Sequence, residues 1–75
     1  MKCPERINAR IEARGGVAIS QRGSHRKYRA EATRGGTRIS AITIVAQHPG
    51  DIPTGTLRKI EKDLEPVFGE RWLTK

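Results

Sequence analysis

Apolar residues recur along this chain at two spacings, and glycine or proline marks each change from one spacing to the other. Near the N-terminus, Cys3, Ile7 and Ile11 lie four residues apart, which is the spacing of one helical face. A proline suits the first turn of a helix, and a glycine past the last turn ends one. The pattern therefore predicts a helix over Pro4–Arg14, followed by a stop at Gly15.

Three later segments alternate apolar and polar residues with the period of two that is typical of strands. We expect strands at Val17–Arg22, His25–Ala32 and Arg38–Ala46. The last two are predicted to form a hairpin through the turn Thr33–Gly36, whose two glycines can adopt the positive φ that tight hairpins require.

The alternation also predicts which side chains face the core. In the second strand the more apolar set, expected to face inward, is Arg26, Tyr28, Ala30 and Ala32. The open face would then carry His25, Lys27, Arg29 and Glu31. In the third strand Ile39 is out of phase with Ile42 and Ile44. A bulge near Ser40–Ala41 is predicted, because it would bring all three onto one face.

A second helix is predicted over Thr54–Glu65, with a buried stripe formed by Leu57, Ile60 and Leu64. Thr54 is placed to cap its N-terminus, and Pro66 to end it. The tail beyond is rich in large apolar residues, so we expect it to dock on the core through Val67, Phe68, Trp72 and Leu73.

This order, α-β-β-β-α, predicts an α+β fold in a single domain over residues 1–75. Short links would make the sheet a three-stranded antiparallel meander, with two helices on one face and the other face open. A single cysteine excludes an internal disulfide and fits a reducing cytoplasm. The longest apolar stretch, Ile39–Ala46, is too short to span a membrane, and the first twenty residues hold no signal-peptide pattern.

Positive charge is concentrated in the first half of the chain. The net charge is +7, and residues 1–40 hold ten Lys/Arg against three Asp/Glu, while residues 41–75 hold five of each. One-sided positive charge indicates a polyanionic partner, either a nucleic acid or an anionic membrane, more than a merely solubilising surface. Arginine outnumbers lysine eight to two in that half, and its planar guanidinium suits bidentate contact with phosphate.

The segment Gly23-Ser24-His25 places a histidine on a predicted turn within the most basic part of the chain. Histidine is the side chain that exchanges a proton near neutral pH. RNA can be cleaved without a metal when its own 2′-OH attacks the adjacent phosphate, provided that an acid, a base and nearby cations assist. From these residues alone, His25 could serve as a general acid or base with no cofactor, although a lone histidine in a basic strand is more often an ordinary surface residue.

A second proton-transfer group is not evident from the sequence. Tyr28 is expected on the opposite strand face, and His48, more than twenty residues away, is interpreted as structural or RNA-facing. A metal site built from Cys3 and the two histidines lacks any standard ligand spacing. The segment Thr54-Gly55-Thr56 is interpreted as a helix cap in preference to a phosphate site.

Two segments resemble the motifs of a known family. Residues 16–28, with a short strand, Gly-Ser-His and an aromatic residue three positions on, resemble the first motif of the HicA family of bacterial toxins. Residues 48–60, with a histidine, an acidic-aliphatic pair and Gly-Thr-Leu-Arg, resemble its second motif. The order and spacing of both agree, and the resemblance extends to about Leu64.

The resemblance implies a fold like that of the double-stranded-RNA-binding domain. It also implies a toxin that acts as an mRNA interferase, an endoribonuclease that cleaves single-stranded mRNA and blocks translation. His25 would be its catalytic residue, and the antitoxin HicB its partner. The residues expected to contact RNA are Arg22, Ser24, Arg26, Lys27, Arg29, Arg38 and Arg58.

Two other functions fit the charge. A module that binds double-stranded RNA by shape and cuts nothing would place a lysine cluster at the start of the last helix, where this chain has only Arg58-Lys59. A basic DNA-binding protein is the third hypothesis, but the sequence shows no helix-turn-helix pattern.

Overall fold

The elements follow one another in the predicted order, α-β-β-β-α. The computed structural model describes residues 3–73, so the ends of the predicted domain range, 1–2 and 74–75, lie outside the described residues. The helices and strands are α1 Pro4–Ala13, β1 Val17–Arg22, β2 His25–Arg34, β3 Thr37–Ala46 and α2 Thr54–Phe68. Between residues 3 and 73, neither helix is long and apolar enough to cross a membrane.

The three strands form an antiparallel meander in the order β1-β2-β3. Gly23-Ser24 connects β1 to β2, and Gly35-Gly36 connects β2 to β3. Both glycines of the second turn have positive φ, 56° and 81°, as the tightest hairpin requires. This turn is shorter than the predicted Thr33–Gly36, because Thr33 and Arg34 belong to β2 and pair with β3.

Both helices cover the same face of the sheet and close one hydrophobic core. Its members from the helices and strands are Ile7, Ile11, Tyr28, Ala30, Val45, Leu57, Ile60, Leu64 and Val67. The tail docks on this core as predicted, since Trp72 and Leu73 are both buried. The predicted alternation of β2 is confirmed, because Tyr28 is buried whereas His25 and Arg29 are exposed.

The bulge predicted near Ser40–Ala41 is wrong. The pairing of β2 with β3 runs without interruption along the whole length of both strands. Ile39 packs against the core, whereas Ile42 and Ile44 lie on the open face, 50% and 49% exposed. A register shift is present in β1 instead, around Ile19.

A buried threonine accounts for this difference. Thr43 lies opposite Tyr28 in the register, faces the core and is 2% exposed. Its hydroxyl donates a hydrogen bond to Asp63 Oδ2 on α2 at 2.9 Å. A hydroxyl can be buried when it is hydrogen-bonded, so β3 keeps its regular alternation and leaves the isoleucines on either side of Thr43 outside.

α2 begins at Thr54 as predicted, but its N-cap and its end differ from the prediction. Thr54 is its first helical residue, and the N-cap position is occupied by Pro53. The helix continues past Pro66 to Phe68 and is capped by Gly69, which has a φ of 94°. A proline this close to the end of a helix removes a single donor, and the continuation lets Val67 pack on the core.

Candidate active site

The turn between β1 and β2 presents His25 at one end of the open sheet face. Gly23 has a φ of 56° at the first central position of this turn, where a type II′ hairpin requires glycine. Arg22 and His25 pair across the turn, so the histidine is the first residue of β2. Its side chain is exposed on the face that the helices leave uncovered.

The end of β3 brings His48 beside this turn. The Gln47 N–H donates to the Ser24 carbonyl, which extends the β2–β3 ladder one step beyond the pair of His25 and Ala46. His48 follows directly, and its Nε2 lies 3.5 Å from Ser24 Oγ, at the outer limit of a hydrogen bond. The imidazole rings of His25 and His48 are 6.3 Å apart between centroids and meet edge-on at 81°.

A buried amide pair holds the end of β3 in place. Asn8 on α1 is 7% exposed, and its side chain exchanges hydrogen bonds with that of Gln47. Gln47 Nε2 also donates to the Val45 carbonyl at 3.1 Å. Gln47 is thus bound to the turn through its backbone and to α1 through its side chain, and His48 follows it directly.

Cations share the open face with His25. Lys27 and Arg29 follow it at alternate positions of β2, a step of roughly 6–7 Å in strand geometry. Arg29 is paired with Glu31 at 3.1 Å, and their side chains are 50% and 40% exposed. An exposed pair of this kind contributes little to stability, so the Arg29 guanidinium can exchange this partner for a phosphate.

Aliphatic side chains flank these cations. Lys27 pairs with Ile44, while Arg29 pairs with Ile42 on one side and with Val17 on the other. The three aliphatic side chains are 49%, 50% and 60% exposed, in that order. The open face therefore combines positive charge with exposed aliphatic side chains, which is typical of an interaction site.

Three of the predicted RNA contacts lie away from the two histidines. Arg26 is on the core side of β2, where its guanidinium donates to Gln21 Oε1 at 2.9 Å and to Tyr28 OH at 3.4 Å. Arg38 lies on the open face but at the opposite end of β3. Arg58 is on α2 and lines a groove of about 1000 Å³ between the helices. The remaining predicted contacts gather around the turn and along β2.

Tyr28 is buried beneath the sheet, on the face opposite His25. None of its surface is exposed, and its hydroxyl donates a short hydrogen bond to Glu12 Oε2 on α1. Burial raises the pKa of Tyr28 above its ordinary value of 10.0, and the hydrogen bond to Glu12 raises it further, against a smaller opposing effect of Arg26. The phenol therefore stays protonated and serves as a structural donor.

The residues considered as metal ligands do not form a cluster. In the described range 3–73, no group of three His, Cys, Asp or Glu side chains is arranged to hold a metal ion. Cys3 precedes α1, while His25 and His48 adjoin each other at the end of the sheet. The two imidazole rings therefore adjoin each other with no third metal-ligating side chain beside them among the described residues.

The sequence interpretation missed the pairing of the histidines, although a signal for it was present. Once Gly35-Gly36 is taken as a two-residue turn, counting outward in both directions pairs His25 with Ala46. Two more steps on each side bring His48 opposite Gly23, in the turn between β1 and β2. The predicted turn of four residues, Thr33–Gly36, gives β2 and β3 a different register, in which the proximity of the two histidines is not evident.

The comparison with known proteins identifies the family. The family model described as HicA toxin of bacterial toxin–antitoxin matches residues 5–65, which is most of the chain. No curated protein and no solved structure matches the chain significantly. The matched range contains the turn with His25, the amide pair and His48. The chain therefore belongs to the HicA family of toxins from bacterial toxin–antitoxin systems.

Proposed function

We propose that this HicA-family toxin is an mRNA interferase that cleaves single-stranded mRNA and thereby blocks translation, with His25 as a general acid or base. The observation that supports this most is an exposed histidine at a hairpin end, on an open sheet face with Lys27 and Arg29 and with Arg22 opposite. Such a surface can bind a phosphate and exchange a proton beside it, and metal-independent RNA cleavage requires both.

The proposed reaction uses the 2′-OH of the RNA as its nucleophile. A neutral imidazole takes the proton of this hydroxyl as O2′ attacks phosphorus. The bond from phosphorus to O5′ then breaks, and the departing O5′ receives a proton. The products are a 2′,3′-cyclic phosphate and a free 5′-OH. His25 would carry one of the two proton transfers, a role that typically contributes about 10²–10⁴-fold in rate.

The cations of the open face would bind the RNA backbone. Lys27 is the next residue after His25 on the open face of β2, so it is placed to offset the charge that develops on the scissile phosphate. Arg29 and, at the far end of the face, Arg38 would bind phosphates further along the strand. Arg58 lies on α2, so any contact it makes with RNA would be remote from the cleavage point.

Family membership implies an antitoxin, HicB, as the partner. We propose that the antitoxin docks on the open face, where Val17, Ile42 and Ile44 are about half exposed beside Lys27 and Arg29. A partner segment with aliphatic and acidic side chains would bury these three aliphatic side chains and neutralise the two cations. Docking there would cover His25 and prevent cleavage.

A module that binds double-stranded RNA without cutting it is the alternative function. Such modules bind with a lysine cluster at the start of the last helix. Here that position holds only Arg58 and Lys59, and the Lys59 ammonium is paired with Asp63 at 3.1 Å. The positive charge available near His25 favours the enzyme.

Cleavage of single-stranded RNA in the presence of EDTA tests the proposed function. We expect the purified protein to cut and His25→Ala to lose cleavage while keeping its circular dichroism spectrum and its RNA affinity. Ser40→Ala, on the same open face but near the far end of β3, is the matched control and should cut normally. An alanine variant at position 25 that cuts as fast as wild type would contradict the role of His25. Wild type that binds duplex RNA and cuts no RNA would favour the alternative.

A further inference from the structure

We infer that His48 is the second proton-transfer group of this site and that it works with His25 across one scissile phosphate. This inference rests on the proposed ribonuclease function. The two residues are far apart in the sequence, yet their ring centroids lie 6.3 Å apart at the exposed end of the sheet. Cleavage by 2′-OH attack needs one group to remove a proton and another to supply one.

The separation of the rings matches what the reaction demands. Each proton-transfer nitrogen must come within about 2.6–3.2 Å of the oxygen that it serves. O2′ enters and O5′ leaves on opposite sides of phosphorus, so the two nitrogens stand apart by at least two hydrogen bonds, roughly 5–6 Å. The edge-on arrangement of His25 and His48 keeps the rings from stacking on each other, so that a phosphate beside them could meet a nitrogen of each ring.

Ser24 gives the arrangement a defined geometry. Its hydroxyl lies 3.5 Å from His48 Nε2, and its carbonyl accepts the Gln47 N–H. Ser24 therefore contacts His48 through its side chain, while the backbone of the turn places His25 at the start of β2. This explains why a hydroxyl residue suits the second turn position, where the backbone alone has no need of one.

Other titratable groups on the open face are poorly suited to the role. Arg22 and Arg29 do not release their protons in proteins. Glu31 is six residues along β2 from His25, roughly 20 Å in strand geometry, and is paired with Arg29. Tyr28 is buried on the other face and bound to Glu12. Among the acids and bases of the described residues, His48 is the one whose ring adjoins His25.

The step is balanced with two imidazoles. One enters neutral and takes the 2′-OH proton as the bond from O2′ to phosphorus forms. The other enters protonated and gives its proton to O5′ as the bond from phosphorus to O5′ breaks. The pair ends with its protons exchanged, and water or buffer restores the starting state.

A substrate with sulfur in place of the bridging O5′ tests the assignment. A thiolate leaves without protonation, so a variant that lacks the acid recovers on this substrate, whereas a variant that lacks the base does not. The variants are His48→Gln and His25→Ala, compared with wild type in EDTA. Glutamine is the matched change at position 48, because its amide can still reach Ser24 where Nε2 stood but cannot transfer a proton.

We expect His48→Gln to lose about 10²–10⁴-fold in rate on the ordinary RNA. We also expect that one of the two variants, and only one, approaches the wild-type rate on the sulfur-bridged substrate; that variant lacks the acid. Loss of activity with no recovery in either variant would overturn the inference, since it would indicate a structural role for His48.

The outcomes separate this inference from the function on which it rests. Wild-type cleavage together with a His48→Gln variant within about threefold of wild type would overturn the role of His48 and leave that of His25 intact. Absence of wild-type cleavage on both substrates would overturn the ribonuclease itself and the inference with it. Unchanged thermal unfolding of each variant confirms that rates are compared between folded proteins.

Discussion

The side-chain amides of Asn8 and Gln47 exchange two hydrogen bonds across the molecule. Asn8 Nδ2 donates to Gln47 Oε1 at 2.7 Å, and Gln47 Nε2 donates to Asn8 Oδ1 at 3.2 Å. The residues are 39 positions apart in sequence, one on α1 and the other just past β3. The pair ties the first helix to the segment that carries His48, so the helical layer takes part in shaping a site on the opposite face of the sheet.

Replacing both members of this pair is expected to cost less than the sum of the two single replacements. Asn8→Leu leaves the Gln47 carbonyl without its donor in a part-buried place, and an unsatisfied group of this kind costs about 1–3 kcal/mol. Gln47→Leu should cost a similar amount, and the double variant less than the two together. Urea unfolding of the four proteins measures this. A pair of distant changes, Asn8→Leu with Arg58→Ala, should be additive; additivity in the amide pair as well would contradict a direct interaction.

The protein is expected to lose stability at alkaline pH in part through Tyr28. Its pKa is raised in the folded state, chiefly by burial, so the folded protein holds the phenolic proton more tightly than the unfolded chain does. The resulting contribution is fully present below the ordinary pKa of 10.0 and is lost as the pH rises through the folded value. Urea unfolding between pH 8 and 11 should show a shallower alkaline decline for Tyr28→Phe than for wild type. Parallel curves would contradict this effect.

Adjacent cations on β2 are expected to behave differently toward RNA. Lys27 lies on the open face and Arg26 on the core side, where it is bound to Gln21 and Tyr28. In a His25→Ala background, which keeps the RNA intact, Lys27→Ala should reduce the slope of log affinity against log salt by about 0.7. Arg26→Ala should leave that slope unchanged and lower the free energy of unfolding by about 1 kcal/mol. Fluorescence anisotropy across a salt series measures the slope, and urea unfolding measures the free energy. Equal slopes for the two variants would contradict the placement of Lys27 and Arg26 on opposite faces of β2.

Two isoleucines provide a direct test of which face is buried. Ile60 on α2 is 1% exposed and Ile44 on β3 is 49% exposed. Ile60→Ala should lower the free energy of unfolding by about 2–5 kcal/mol, because it removes packed core atoms. Ile44→Ala should change it by no more than about 0.5 kcal/mol, as expected of a surface position. Comparable losses in urea unfolding would mean that the open face is covered in the isolated protein.

Local patterns predicted most of the architecture. The four-residue spacing of Ile7 and Ile11 indicated α1, and the alternation through β2 indicated that Tyr28 faces the core and His25 the open side. These predictions succeeded because a helix face or a strand face depends on neighbours a few residues away. Tail docking was also predictable, since Trp72 and Leu73 are too apolar to stay in water.

The errors arose where a distant partner decided the outcome. The predicted bulge would have placed Ile39 on one face with Ile42 and Ile44, but Thr43 is buried between the last two and hydrogen-bonded to Asp63 on α2. The end of α2 was placed before Pro66, but core contacts of Val67 outweigh the one donor that proline lacks. The alternation within β3 gives no sign of its contact with Asp63 on α2. The residues around Pro66 likewise give no sign of the core that Val67 contacts.

The sequence by itself determined the order of elements, the concentration of positive charge, the position of His25 at a hairpin end and the two motifs that resemble the HicA family. These features are local, because the spacing of apolar residues, the residues of a turn and the composition of a segment each depend on a few neighbouring positions. Tertiary contacts account for the rest: His48 adjoins His25, the Ser24 hydroxyl contacts His48, and Asn8 holds Gln47. Those contacts depend on strand register and helix packing, which join residues that are distant along the chain.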